Sequence, residues 1–410
     1  DYSEVYHYDL RGNVRRNPKI SGTTHNVFGI QVGVGVSLPI RNGSNKGKVF
    51  YQREDEYIRK EERYDDLDYR EDYRGVDWDE PRLTRDGAEW FAPETDFEDQ
   101  ALLANKQTKR LELAYSESLF NTYCLGVATH RDAVVYDFDA WQLEQRVQDM
   151  IEAYNLEIDR WKRSGQPTGR ALNDFVDTEK VNWSRDLKKD LTRERYIIFN
   201  QKQIRTSLYR PFMKSNLYFD RVLNEEIYQW HHFLPTPAQE EENRAFGVSG
   251  KASNKPFQTL ITNTIPCLDL LEKTQFFPLY VYDEDGTNRR LNVTPWAIEL
   301  FRERYDLPGD YYDQRAGAGS PDFGPVTPWR VFHYVYAVLH AKGYRTKYEA
   351  NLKKSLPRVP LLGDAETFQR LAQLGEDLAR WHLEYESTER YELERIEKPQ
   401  KGKSFDWACP

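Results

Sequence analysis

Two short stretches of this sequence combine residue types that can read a phosphate polymer. The first is Gly126-Val127-Ala128-Thr129-His130-Arg131-Asp132. It opens on a glycine and carries a hydroxyl, a guanidinium fork and an acid, the donors and acceptor that contact phosphates and base edges. A loop ion pair between Arg131 and Asp132 would use the same residues. The second runs from Ser207-Leu208-Tyr209-Arg210-Pro211-Phe212 to Asn216-Leu217-Tyr218-Phe219-Asp220 and alternates cations with aromatic rings. Such interleaving suits a nucleic-acid surface, where rings stack and cations follow the backbone, and it equally suits a domain core. Arg205, Arg210, Lys214 and Arg221 would mark the electropositive face, with Tyr209 and Phe212 partly buried beneath it. Arg345, Lys347, Lys353 and Lys354 form a second basic candidate.

Other chemistry is poorly supported. Gly247-Val248-Ser249-Gly250-Lys251-Ala252-Ser253 has glycines too close together for a phosphate-cradling P-loop, and alanine stands where serine or threonine should follow the lysine. Gly33-Val34-Gly35 lies inside an apolar run and lacks the third glycine of a dinucleotide site. The eight histidines are scattered, and neighbours such as His231 and His232 diverge in a regular helix or strand, so no metal site is expected. His333 and His340 would share one helix face in an interior or interface role. Cys124, Cys267 and Cys409 are too far apart for a metal knuckle and odd in number, as expected of a reducing compartment such as the cytoplasm.

The 410 residues suffice for two to four domains, each with a core. An aromatic share of 14% argues against disorder, and no apolar run is long enough for a membrane helix. Net charge is -9, but it is segregated. Arg53 to Arg74 holds ten acidic and six basic residues, Arg185 to Arg221 ten basic and four acidic, and Ala341 to Arg358 six basic and one acidic. Local basic density matters more to a phosphate backbone than the total does.

The elements that must position these groups read as mixed α and β. Val5 to Leu10 is strand-like, and the opening Asp1-Tyr2 suggests a cut inside a larger protein. Gln31 to Arg41 with Lys48 to Tyr51 predicts a hairpin at a sheet edge. Residues 53–74 predict a charged surface linker with a short helix. Phe97 to Leu113 reads as helical, and Val134 to Phe138 as a short strand. Asp139 can cap a helix whose Trp141, Leu143, Val147, Met150, Ile151 and Tyr154 repeat at three-four spacing. Residues 235–253 predict a polar loop, Phe257 to Thr264 a strand and Asp306 to Pro328 a flexible insertion. Helices are expected over Trp329 to Ala341 and Ala365 to Tyr385.

GVATHRDAVVYDFD, SLYRPFMKSNLYFD, FPLYVYD from Phe277 to Asp283 and the run from Val331 to Leu361 together resemble the C-terminal half of type ISP restriction-modification enzymes. EVYHYDLRGN and NVFGIQVGVGVSLPIR resemble the closing strands of the methyltransferase domain in that family. The resemblance implies an α/β architecture, with residues 1–112 forming the edge of an N6-adenine methyltransferase and its acidic connector, and 113–410 a target recognition domain. It implies double-stranded DNA as partner, with Thr129, Arg131, Arg205, Tyr209, Arg210, Lys214, Arg221, Arg345, Lys347, Lys353 and Lys354 as contact candidates. Phe28, just ahead of the hairpin, would stack on a flipped adenine. The chain has no Pro-Pro pair for an amino-methyltransferase [DN]PP[YF] motif, no Gly-rich methyl-donor loop and no Walker A motif. S-adenosylmethionine, ATP and Mg are therefore expected of a full-length parent carrying methyltransferase, ATPase and nuclease domains, and no catalytic residue is expected in this piece. The rival readings are a free-standing hydrolase using carboxylates and a helical protein-interaction scaffold.

Overall fold

The computed structural model describes residues 2–13, 24–43, 47–55, 57–80, 96–105, 117–250, 253, 255–307 and 325–389. The chain divides into two compact units, Asp1–Glu98 and Asp99–Pro410.

In the first unit, β1 (Glu4–Asp9), β2 (Gly35–Ile40) and β3 (Lys48–Arg53) form a sheet ordered β2-β1-β3. The expected hairpin between β2 and β3 does not form. Both strands pair with β1, β2 antiparallel and β3 parallel, because β1 supplies a ladder that a local turn cannot. α1 (Lys60–Arg70) is part of this unit and no detached linker. Glu62 accepts from the Arg59 amide at 2.9 Å, and Arg70 pairs with Asp66 one turn away at 2.5 Å, so charge stabilises the helix where apolar residues are few. Arg63 turns inward, fully buried, and donates to the carbonyls of Leu10 and Asp55. A small core of Tyr8, Leu10 and Val27 packs with Leu67, Val76 and Trp78.

The second unit begins with β4 (Ala101–Leu102), which lies within the span expected to be helical. It continues through β5 (Cys124–Leu125), α2 (Asp132–Val135), β6 (Tyr136–Asp137), α3 (Ala140–Arg163), α4 (Arg170–Phe175) and α5 (Arg185–Thr192). There follow β7 (Ile204–Arg210), β8 (Met213–Tyr218), α6 (Trp230–Phe233), α7 (Pro237–Glu242), β9 (Ala245–Val248), β10 (Thr259–Thr262), β11 (Ile265–Pro266) and β12 (Gln275–Pro278). β13 (Tyr280–Val281), β14 (Arg290–Leu291), α8 (Pro295–Tyr305), α9 (Pro328–His340), α10 (Lys342–Lys347), α11 (Glu349–Leu352), β15 (Arg358–Val359) and α12 (Ala365–Leu383) complete it. β4 pairs with β15, which draws residues from Asp99 onward into this unit, upstream of the boundary at 112 read from the sequence. The expected strand at Val134 is a helical turn followed by the two residues of β6, and the expected polar loop at 235–253 contains α7 and β9. The insertion at 306–328 falls mostly outside the described residues.

Two four-stranded sheets, ordered β10-β9-β12-β5 and β11-β7-β8-β6, frame the main core. α3 is fixed at its start by Asp139, whose carboxylate accepts from the amides of Trp141 and Gln142 at 2.8 and 3.1 Å. It buries Leu143, Val147, Met150, Ile151, Tyr154, Ile158 and Trp161. Each large apolar side chain so buried contributes roughly 1.5–3 kcal/mol, enough to set the position of the β7–β8 hairpin against the helix. α9 and α12 cross closely, and a Cβ on Gly375 would stand 1.9 Å from the His333 carbonyl oxygen.

Candidate nucleic-acid interface

The Gly126–Asp132 loop is placed by a backbone approach that only glycine allows. A Cβ at Gly126 would lie 2.4 Å from the Cys267 carbonyl oxygen, and Val127 bridges to Cys267 in parallel. Its polar groups then turn inward. Arg131 is 3% exposed and donates to the Leu223 carbonyl at 2.6 Å and the Ser184 hydroxyl at 2.9 Å, with Glu225 at 3.6 Å. Burial pulls its pKa below the usual arginine range, and the Glu225 carboxylate opposes that shift. Ser184 also caps α5, so Arg131 ties this loop to a helix N-terminus and to the 223–225 turn. Thr129, 3% exposed, bonds to Asp132, and Asp132 accepts from Tyr209 at 2.9 Å. Thr129 and Arg131, expected as DNA contacts, are instead buried and bonded within the domain. Asp132 is paired with Thr129 and Tyr209, so the simple Arg131–Asp132 loop pair does not form either.

The aromatic and basic stretch is the antiparallel β7–β8 hairpin, with an irregularity in register between Leu208 and Arg210. Its side chains separate by direction. Arg205 is 5% exposed and clasps Glu240 at 2.5 Å while donating to the carbonyls of Leu234 and Pro235, so it is an internal clamp and not part of the outer face. Tyr209 packs on Tyr136 with ring centroids 4.6 Å apart. Burial raises its hydroxyl pKa, helped by the Asp132 hydrogen bond. The Arg210 guanidinium lies over that ring, 3.9 Å from its centroid, and one of its nitrogens donates to the Tyr209 carbonyl at 2.7 Å and to Cys267 Sγ at 3.4 Å, which leaves the group half-buried. Phe212, at the hairpin turn with φ 57°, is exposed and meets the rings of His382 and Tyr385.

Of the remaining cations, Arg221 and Lys353 lie outward and Lys214 is half-buried. Lys214 pairs with Glu386 at 2.7 Å, Arg221 with Glu284 at 2.7 Å and Lys353 with Glu349 at 2.7 Å. Solvent-exposed pairs of this kind contribute little and exchange readily for a phosphate. Arg345 is half-buried, donating to the Leu339 carbonyl at 2.7 Å and meeting His340 at 3.1 Å. Lys347 and Lys354 are exposed.

Phe28 belongs to the first unit and is 72% exposed, which removes a core role. The Asn26 side chain holds its turn, accepting from the Phe28 amide at 2.9 Å and donating to the carbonyls of Val32 and Gly12 at 2.6 and 3.2 Å. Sequence reasoning missed two exposed aromatics where β6 enters α3, Phe138 and Trp141, 70% and 62% exposed. Trp141 falls at the three-four spacing of the apolar residues, yet it lies at the exposed start of α3, and burial begins two residues later at Leu143.

A family model described as "Type ISP C-terminal specificity domain" matches residues 118–406. No curated protein matches the chain. Among solved structures, "cryoEM structure DrdV-DNA complex" is similar over 98% of this chain and 37% of that one, at 29% identity and a TM-score of 0.65. A nuclease-deletion mutant of "the Type ISP restriction-modification enzyme LlaGI in complex with a DNA substrate mimic" is similar over 98% of this chain and 36% of that one, at 24% identity and a TM-score of 0.58. "ATP-dependent Type ISP restriction-modification enzyme LlaBIII bound to DNA" is similar over 98% of this chain and 25% of that one, at 22% identity and a TM-score of 0.59. The chain thus spans between 25% and 37% of the length of these structures. Among the described residues no helix is long and apolar enough to cross a membrane.

Proposed function

We propose, for a chain that belongs to the Type ISP C-terminal specificity domain family, that its second unit recognises a specific double-stranded DNA sequence on behalf of a larger restriction-modification polypeptide. The observation that carries this reading is the family match over residues 118–406 together with 29% identity to the DrdV-DNA complex across 98% of the chain. In this reading Arg210, Lys214, Arg221, Arg345, Lys347, Lys353 and Lys354 supply the DNA-facing charge. Thr129, Arg131, Arg205 and Tyr209 act one layer below, fixing the backbone and side chains that carry it. The guanidinium of Arg210, held against the Tyr209 ring and carbonyl, suits a base edge, because its fork can read two acceptors at once. Lysines suit phosphates, which set register and give the salt-dependent part of the affinity.

Methylation of adenine N6 and ATP-dependent translocation and cleavage belong, in the same reading, to the rest of the polypeptide. The sequence carries no Gly-rich methyl-donor loop and no Walker A motif, and in this reading S-adenosylmethionine, ATP and Mg are bound by the rest of the polypeptide. The exposed ring of Phe28 would, in this reading, stack on the flipped target base.

Equilibrium binding of the full-length protein to its methylation-site duplex and to scrambled duplexes, over a range of salt, tests the assignment. Tight binding to one sequence, with log affinity falling linearly in log salt, is the expected result. Equal affinity for every duplex would remove the specificity role.

A further inference from the structure

Neighbouring histidines normally diverge, yet here they converge. His231 and His232 lie in α6 with ring centroids 4.1 Å apart, and one ligand atom from each lies within 4.8 Å of the other and of a Glu284 carboxylate oxygen. His231 Nε2 is 3.7 Å from Glu284 Oε1. The orientation of His232 is fixed from behind. Its Nδ1 is 3.1 Å from the Tyr282 carbonyl oxygen, which can only accept, so Nδ1 is the donor there and Nε2 is the nitrogen left to bind a ligand. A ring nitrogen held by a backbone carbonyl is the usual support of a metal-ligating histidine. The Tyr282 amide donates in turn to the His232 carbonyl at 2.8 Å, so α6 and the segment leading to Glu284 are tied in both directions.

We propose that His231, His232 and Glu284 form a binding site for a divalent transition ion of the zinc class. Two imidazoles and one carboxylate are a hard-to-borderline donor set that favours such an ion over Ca or Mg, and three protein ligands leave a position for water. The ion braces α6 to the turn between β13 and β14. Arg221 is its competitor: its guanidinium sits 2.7 Å from Glu284 Oε1, and with 55% of the side chain exposed it can swing into solvent when an ion enters. The site is independent of the DNA-recognition reading, although it shares Arg221 with the proposed DNA-facing set.

Co(II) added to the chelator-treated full-length protein, followed by its visible absorption and displaced by Zn(II), provides the test. Expected is one site whose signal is lost in Glu284→Gln and in His232→Gln and whose affinity rises several-fold in Arg221→Gln, the variant that removes the competing cation and leaves every ligand in place. A Co(II) titration of Glu284→Gln and His232→Gln indistinguishable from the parent, or affinity unchanged or weakened in Arg221→Gln, overturns the proposal. Because Arg221→Gln gains binding, misfolding of a ligand variant cannot imitate the expected pattern.

Discussion

At the scale of single residues, what separates a DNA contact from a structural clamp is where the guanidinium ends. Arg131 and Arg210 look alike in sequence, each an arginine close to a hydroxyl or a ring in a motif that could face DNA. Yet Arg131 is consumed by Leu223, Ser184 and Glu225, whereas Arg210 keeps a half-buried face over Tyr209. Removing one partner of a buried charge pair leaves the other unpaired, so Arg131→Ala should cost about 3–5 kcal/mol of folding stability. The slope of log affinity against log salt for the cognate duplex, measured on folded protein, should match the parent's, because a buried positioning residue neutralises no phosphate. A lower slope in a fully folded Arg131→Ala protein would return the residue to the interface. For the outer cations the readout is different: Lys354→Gln should lower the slope of log affinity against log salt by about 1, Arg210→Gln should cost about 1–3 kcal/mol of binding and relax specificity at one base pair, and Arg205→Gln should leave the slope unchanged. The types of residue in both motifs were legible in the sequence. Their directions were not, because Glu225 and Glu240, the partners that turn Arg131 and Arg205 inward, are distant in the chain and come close only through the fold.

At the scale of elements, periodicity and caps proved the readable part. The Asp139 cap with its apolar repeat gave α3, and the Thr327-Pro328 start and the apolar stripe of Ala365 onward gave α9 and α12 nearly to the residue. Short strands and sheet order did not read, since β1 pairs on both sides through residues some 30 and 45 positions away, and two-residue strands leave no alternation to detect. The α9–α12 crossing depends on a further detail, the missing side chain at Gly375. Alanine there would raise helix propensity by about 1 kcal/mol, but its Cβ would meet the His333 carbonyl at 1.9 Å. Overpacking should win, and Gly375→Ala should lose about 1–3 kcal/mol in chemical denaturation; a more stable variant would refute the close crossing. His333 makes the same contact sensitive to pH. Burial, aided by the charge of Arg244, lowers its pKa from 6.5 to about 3 while Nδ1 bonds to the Trp329 carbonyl. Between those two values the unfolded chain binds a proton that the folded chain refuses, so stability falls as pH falls, by up to ~1.4 kcal/mol per pH unit. The denaturation midpoint of His333→Gln should therefore decline less steeply across that window than the parent's, and identical slopes would show that His333 is not held neutral.

At the scale of the whole molecule, the two units carry different exposed chemistry, and the first presents an apolar surface that its own small core does not use. Phe28, Ile30, Val32, Val36 and Leu38 are all exposed, on and ahead of the edge strand β2, while Tyr8, Leu10 and Val27 form the interior. The position of Phe28 ahead of the strand was legible, but its exposure was not, because an aromatic residue before a hairpin suits a core and a platform equally well until the Asn26 bonds show how the turn is held. A ring presented at the surface by a turn fixed through Gly12 and Val32 has little folding energy to lose, so Phe28→Ala should change stability by no more than about 0.5 kcal/mol. If the ring holds a flipped adenine, the same substitution in the full-length protein should slow adenine methylation at saturating DNA. Phe28→Trp and Phe28→Tyr should retain most of the rate, since stacking requires a π-face and no particular polar group. A parental methylation rate in Phe28→Ala at unchanged stability would assign the exposed stripe to packing against other parts of the polypeptide and end the stacking assignment.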